Sequence, residues 1–164
     1  MTTKLIFMGG APGVGKTAVA RELLGLLDNC VWLDADDLWR MNPFVVNEHT
    51  KDMIEKSIQY LLNSYIEHGF SYIIFAWVLH SDYIVQGLLN GIGDCEYTFR
   101  HFTLLCDETT LKERISADTG RTTDPALAVK RHKQCLLVNS DKINSTDMTP
   151  LQIAGRIKKE ISLA

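Results

Sequence analysis

A chain of 164 residues, 46% hydrophobic and 23% charged, is long enough to bury one continuous core without disulfides or structural metal, so a single domain over 1–164 is expected. No apolar stretch approaches the roughly 20 residues that cross a bilayer, which leaves no place for a membrane partner. A formal net charge of −3 gives no general electrostatic reason to bind nucleic acid or anionic lipid.

In chain order, the apolar run Lys4 to Met8 has strand length and lacks the longer core and cleavage site of a signal peptide, so a cytoplasmic chain is expected. A glycine-rich segment follows, and Ala18, Val19, Leu23, Leu24 and Leu27 then carry a helical period. Further strands are expected at Cys30 to Asp34, Tyr72 to Ala76, Phe99 to Cys106 and near Lys142 to Asn144. Between the second and third, Ile54, Ile58, Leu61, Leu62, Tyr65 and Ile66 put one apolar stripe on a helix that Gly69 ends. The last helix begins at Thr149-Pro150-Leu151-Gln152, a capping box with proline at the first helical position, and buries Ile153, Ile157 and Ile161. Strands alternating with helices predict an α/β fold, a mostly parallel sheet covered on both faces. Cys30, Cys95, Cys106 and Cys135 form no C-x-x-C pair, which argues against a zinc or dithiol centre, and they read as reduced, mostly core residues.

Residues Gly10-Ala11-Pro12-Gly13-Val14-Gly15-Lys16-Thr17 match G-x-x-x-x-G-K-[ST] in full, between a strand and a helix. Glycines let successive backbone N–H groups turn inward on phosphate oxygens, and the helix N-terminus adds a favourable dipole. These residues, with Ala18 in the first helical turn, are the expected binding set for ATP. Lys16 would reach the β- and γ-phosphates, and the Thr17 hydroxyl would be a Mg²⁺ ligand.

Directly after the second strand come Asp34-Ala35-Asp36-Asp37. If that strand lies parallel to the first, its end opens on the same crevice as the phosphate loop. In an extended segment Asp34 and Asp36 point the same way, and two carboxylates that close raise at least one pKa unless a cation sits between them. One would accept or orient an acceptor proton, and the other would support the metal shell.

The phosphate loop together with Leu33-Asp34-Ala35-Asp36-Asp37 resembles the small-molecule branch of the P-loop kinases, which includes shikimate kinase, gluconate kinase, adenylylsulfate kinase and chloramphenicol phosphotransferase. The resemblance covers nearly the whole chain. It implies a three-layer sandwich around a five-stranded parallel sheet in the order 2-3-1-4-5, with a small basic lid at about 114–133. It also implies that Asp36 is the general base or acceptor contact, that Asp34 lies nearer the Mg²⁺ waters, and that Arg114 packs on the nucleotide base. Arg121 is similar to the lid arginine that stabilises charge on the transferring group, and Arg131 is a candidate for a phosphate or an acidic acceptor. Lys112, Lys130 and Lys133 in the same window read as an ordinary solvated face.

The third strand runs into Ala76-Trp77-Val78-Leu79-His80 without the acidic residue that many such proteins carry there. Metal binding would then lean on Thr17, waters and Asp34. An acceptor pocket is expected from Trp77, His80 and Arg40, with Trp39 beside them, and it leaves room for an aromatic or apolar acceptor. The expected activity is ATP- and Mg-dependent phosphoryl transfer to a hydroxyl of a small metabolite or antibiotic, carried by Lys16, Asp36 and Arg121. A nucleoside, nucleotide or polynucleotide kinase is an alternative, although the weak overall charge speaks against nucleic acid. A non-catalytic nucleotide-binding regulatory module is another. The chain would act as a monomer or a homodimer.

Overall fold

A computed structural model of the chain describes residues 2–118 and 123–163. The elements are β1 (Thr3–Gly9), α1 (Lys16–Leu26), β2 (Cys30–Asp34), a 3₁₀ helix (Ala35–Trp39), α2 (Glu48–Glu67), β3 (Tyr72–Ala76), α3 (Asp82–Asn90), β4 (Tyr97–Leu105), α4 (Glu108–Ala117), α5 (Pro125–Cys135), β5 (Asp141–Asn144) and α6 (Pro150–Ser162). The strands form one parallel five-stranded sheet in the order β2-β3-β1-β4-β5, as the resemblance implied.

β1 is the central strand, and its composition follows from that place. Leu5, Ile6, Phe7 and Met8 are all fully buried. A parallel strand with helices on both faces has no polar side to present, so it reads as a continuous apolar run. Ile6 and Met8 pack with Ile74, Leu23, Ile153 and Ile157 on one face; Leu5 and Phe7 pack with Ile73, Phe75, Ile54, Ile58 and Leu62 on the other. The stripe expected on α2 is thus the wall of the second core. Thr149 caps α6 in a capping box with Gln152, and Ile153, Ile157 and Ile161 are buried beneath that helix. Each such isoleucine contributes on the order of 1.5–3 kcal/mol of burial.

β4 departs from expectation at its start, beginning at Tyr97 rather than Phe99, because Tyr97 pairs with Thr3 and Thr98 with Lys4 in the register with β1. The lid window at about 114–133 holds the end of α4 and most of α5. All four cysteines are free; Cys106 and Cys135 are core residues, whereas Cys30 and Cys95 are only half-buried. Burial pushes the Cys30 thiol up to about 12, so it stays protonated and unreactive.

His101, on β4, is 5% exposed and lies edge-on to Phe7 at 6.4 Å. Among the described residues neither of its ring nitrogens has a hydrogen-bond partner. Burial above all, and then the Lys142 ammonium, push its pKa down to about 4; Asp82, Asp141 and the nearby Asn139 backbone oppose this only in part.

Candidate functional site: a phosphate loop opening on an aromatic cavity

The loop between β1 and α1 takes a shape that side chains would obstruct. Gly10 has φ +144°, and a Cβ there would lie 2.8 Å from Val14 Cγ1 and 2.9 Å from the Leu104 carbonyl oxygen. At Gly13, with φ +83°, a Cβ would come 2.6 Å from Ile115 Cγ1. The loop is therefore pressed against β4 and α4, and only glycine allows it. Lys16 Nζ donates to the carbonyls of Gly10 and Ala11, both at 2.9 Å, which holds its charge over the loop.

Arg114 braces the loop from behind. Its Nη1 donates to the Val14 carbonyl at 3.0 Å and to Ser145 Oγ at 3.0 Å, and its Nη2 donates to the Ser145 carbonyl at 2.8 Å. The structure shows the arginine that was expected to pack on a base tying the phosphate loop to the segment after β5. Sequence reasoning missed that role, because Ser145 stands 31 positions from Arg114.

The carboxylates correct one expectation. Asp34 and Asp36 do not lie side by side on an extended segment, since β2 stops at Asp34 and a 3₁₀ helix starts at once. Asp34 caps it, accepting from the Asp36 backbone N–H at 3.1 Å, while its other oxygen accepts from Thr17 Oγ1 at 3.4 Å. Burial raises the Asp34 pKa, and the charges of Asp36 and Asp37 add to this; the Asp36 N–H bond and Lys16 oppose it. Asp37 pairs with Arg40 at 2.6 Å on the surface.

A hydroxyl and a carboxylate oxygen at the foot of α1 are a hard donor set suited to Mg²⁺. Among the described residues no group of three or more His, Cys, Asp or Glu could cage a metal ion. Thr17 and Asp34 are the two donors that would hold such a cation, beside the phosphate loop.

The crevice beside the loop is a cavity of about 680 Å³. It brings together Asp36, Arg40, Trp77, His80 and Arg131 of the expected set, with Trp39, and Pro12 of the phosphate loop is part of its wall. Trp77 holds its place because its backbone N–H donates to the Met8 carbonyl at 3.2 Å, continuing the sheet. His80 Nδ1 donates to the Val78 carbonyl at 3.0 Å, so the neutral ring keeps its lone pair on Nε2. Burial lowers the His80 pKa and the nearby Arg131 charge lowers it further, against the Val78 bond. Arg131 Nη1 donates to Gln134 Oε1 at 2.9 Å.

Phe44, Val46 and Leu127 also line the cavity and were not foreseen. The only signal was the apolar run Phe44-Val45-Val46 outside any periodic segment. Ala18 lies in the first turn of α1. Arg121 lies outside the described residues.

A family model described as "AAA domain" matches residues 6–137, from β1 through α5. The chain belongs to the AAA domain family. No curated protein matches this AAA domain chain in sequence. Among solved structures, the tunicamycin resistance protein of Deinococcus radiodurans is 18% identical, with 99% of this chain and 97% of that one covered and a TM-score of 0.69. A sugar kinase from Janibacter sp. HTCC2649 is 16% identical over 99% and 96%, with a TM-score of 0.74. A gluconokinase from Sinorhizobium meliloti 1021 is 12% identical over 98% and 96%, with a TM-score of 0.67. At these identities the likeness is one of fold, and that fold is the P-loop NTPase α/β type, a parallel sheet in the order 2-3-1-4-5 with helices around it. Among the described residues no helix of this AAA domain protein is long and apolar enough to cross a membrane.

Proposed function

We propose that this protein is a phosphotransferase that moves the terminal phosphoryl group of Mg-ATP onto a hydroxyl of a small molecule. One observation carries the reading: a single cavity is bounded at once by Pro12 of the phosphate loop, by Asp36 and by the aromatic wall at Trp77. Such a space receives an acceptor beside the phosphates and presents its hydroxyl to a carboxylate. The sugar kinase and the gluconokinase that share the fold support hydroxyl chemistry.

When bound, Mg-ATP supplies the phosphoryl group and the cation that offsets its charge. Thr17 and Asp34 would hold the cation, with Asp34 keeping Thr17 oriented. Lys16, whose ammonium donates to two loop carbonyls, would turn to the phosphate oxygens. The Arg114 brace fixes the loop N–H groups, and the plane of the same guanidinium is the surface for the base. Asp36 orients the acceptor hydroxyl and takes its proton, and Arg121 balances charge on the transferring group. Arg40, Trp77, His80 and Arg131 bind the acceptor.

The test is acceptor-dependent ADP release from Mg-ATP over a panel of hydroxyl compounds. Asp36→Asn is expected to cut turnover by roughly 10²–10⁴-fold while ATP still raises the melting temperature. Unchanged turnover would remove Asp36 from its role, and ATP binding with no productive acceptor would favour a regulatory module. A nucleoside acceptor is the second reading, favoured by aromatic walls able to receive a base. Thymidine in the panel distinguishes it.

A further inference from the structure

The cavity lining says more about the acceptor than that it carries a hydroxyl. Phe44 is 66% exposed, Val46 54% and Leu127 44%, although all border the same 680 Å³ space as Trp39 and Trp77. Large apolar side chains left open to water around one concavity are covered when a ligand enters. A polyhydroxylated chain would cover them badly, because its hydroxyls would lose water without finding partners. A flat ring system covers them well.

The charges in the same wall add a second requirement. Arg40 is neutralised by Asp37 at 2.6 Å. Arg131 is half-buried, and its hydrogen bond goes to the neutral Gln134 amide. Among the described residues it makes no ion pair. His80, which stands close enough to feel that charge, offers a neutral ring and no compensating anion. A half-buried guanidinium without a carboxylate is a site for an anionic group on the ligand.

Building on the phosphotransferase reading, we infer that the acceptor is a flat, largely apolar ring compound bearing both a hydroxyl and an anionic group, with the ring against Trp39, Phe44 and Trp77 and the anion on Arg131. The discriminating pressure is the combination. Sugars and sugar acids lack the apolar body, and neutral aromatic alcohols lack the charge.

Calorimetric titration of the whole chain with 6-(hydroxymethyl)-2-naphthoate, its neutral methyl ester and gluconate tests this without requiring turnover. The naphthoate is expected to bind at least about tenfold more tightly than either of the others. Arg131→Gln should bring acid and ester to equal affinity, and Trp77→Ala should weaken both while leaving their ratio intact. An ester that binds as well as the acid, gluconate as the tightest ligand, or no binding by any of the three overturns the inference. So does an Arg131→Gln variant that loses ATP affinity but keeps the acid-to-ester ratio, since Arg131 would then serve the nucleotide. Circular dichroism and the ATP-induced melting shift check that each variant is folded. Tight naphthoate binding without ADP release from any acceptor would sink the phosphotransferase reading and leave the ring-and-anion site standing; turnover of gluconate alone would do the reverse.

Discussion

His101 makes stability depend on pH in a way that one substitution removes. Its pKa is held at about 4 in the fold against an ordinary 6.5. Above 6.5 the ring is neutral whether the chain is folded or not, and it costs nothing. Below 6.5 the unfolded chain takes up a proton that the folded one refuses until about pH 4, so stability falls as pH falls through that window. By about pH 4.5 the loss is on the order of 2.5 kcal/mol, or roughly 5–10 °C in melting temperature for a domain of this size. Urea unfolding of the natural chain and of His101→Leu, at steps between about pH 7.5 and pH 4.5, measures it. Carboxylates elsewhere, including Asp34 with its raised pKa, titrate in both proteins and cancel in the difference. Lys142, Asp82 and Asp141, which face the ring, are likewise common to both. The leucine variant should lose about 2.5 kcal/mol less over that range. Parallel profiles would show that the ring takes up its proton inside the fold without penalty, and the reasoning would be wrong.

Gly13→Ala should cost about 1–2 kcal/mol for its left-handed backbone, with the overlap on Ile115 added, and should shrink the ATP-induced melting shift; thermal melts with and without Mg-ATP read both effects. Arg114→Lys keeps the charge but cannot hold Val14 and Ser145 together, so ATP affinity measured by calorimetry should fall roughly tenfold, about 1.4 kcal/mol. Thr149→Ala removes the side-chain acceptor for the Gln152 N–H and should destabilise the fold by about 1 kcal/mol in urea, whereas Thr149→Ser should stay within a few tenths.

Where local chemistry decides structure, it could be read directly. β2 and β3 run over the residues expected, Cys30–Asp34 and Tyr72–Ala76, because apolar strands there meet polar or aromatic turns at both ends. The Thr149 capping box and the stripe on α2 have equally local causes. The phosphate loop was legible for the same reason, being a contiguous backbone device. What escaped depends on distant partners. Tyr97 joins β4 because Thr3 is there to pair with it. Asp34 turns inward because Thr17 and the Asp36 N–H offer it two bonds, which no strand pattern reveals. The cavity was legible in part: Arg40, Trp77 and His80 were drawn from the residues after the second and third strands and Arg131 from the resemblance, but Phe44 and Val46 line it only through the path the chain takes between the 3₁₀ helix and α2.

The Arg114 contacts reach across 100 positions to Val14 and 31 to Ser145. Neither the amino-terminal half nor the carboxy-terminal half owns a finished anion cradle; the two halves make it jointly when the last strand is seated. Under the proposed function, nucleotide affinity would double as a gauge of whether the far end of the chain has reached its place, and damage near Ser145 would be felt first at the phosphate loop rather than by the helices that surround it.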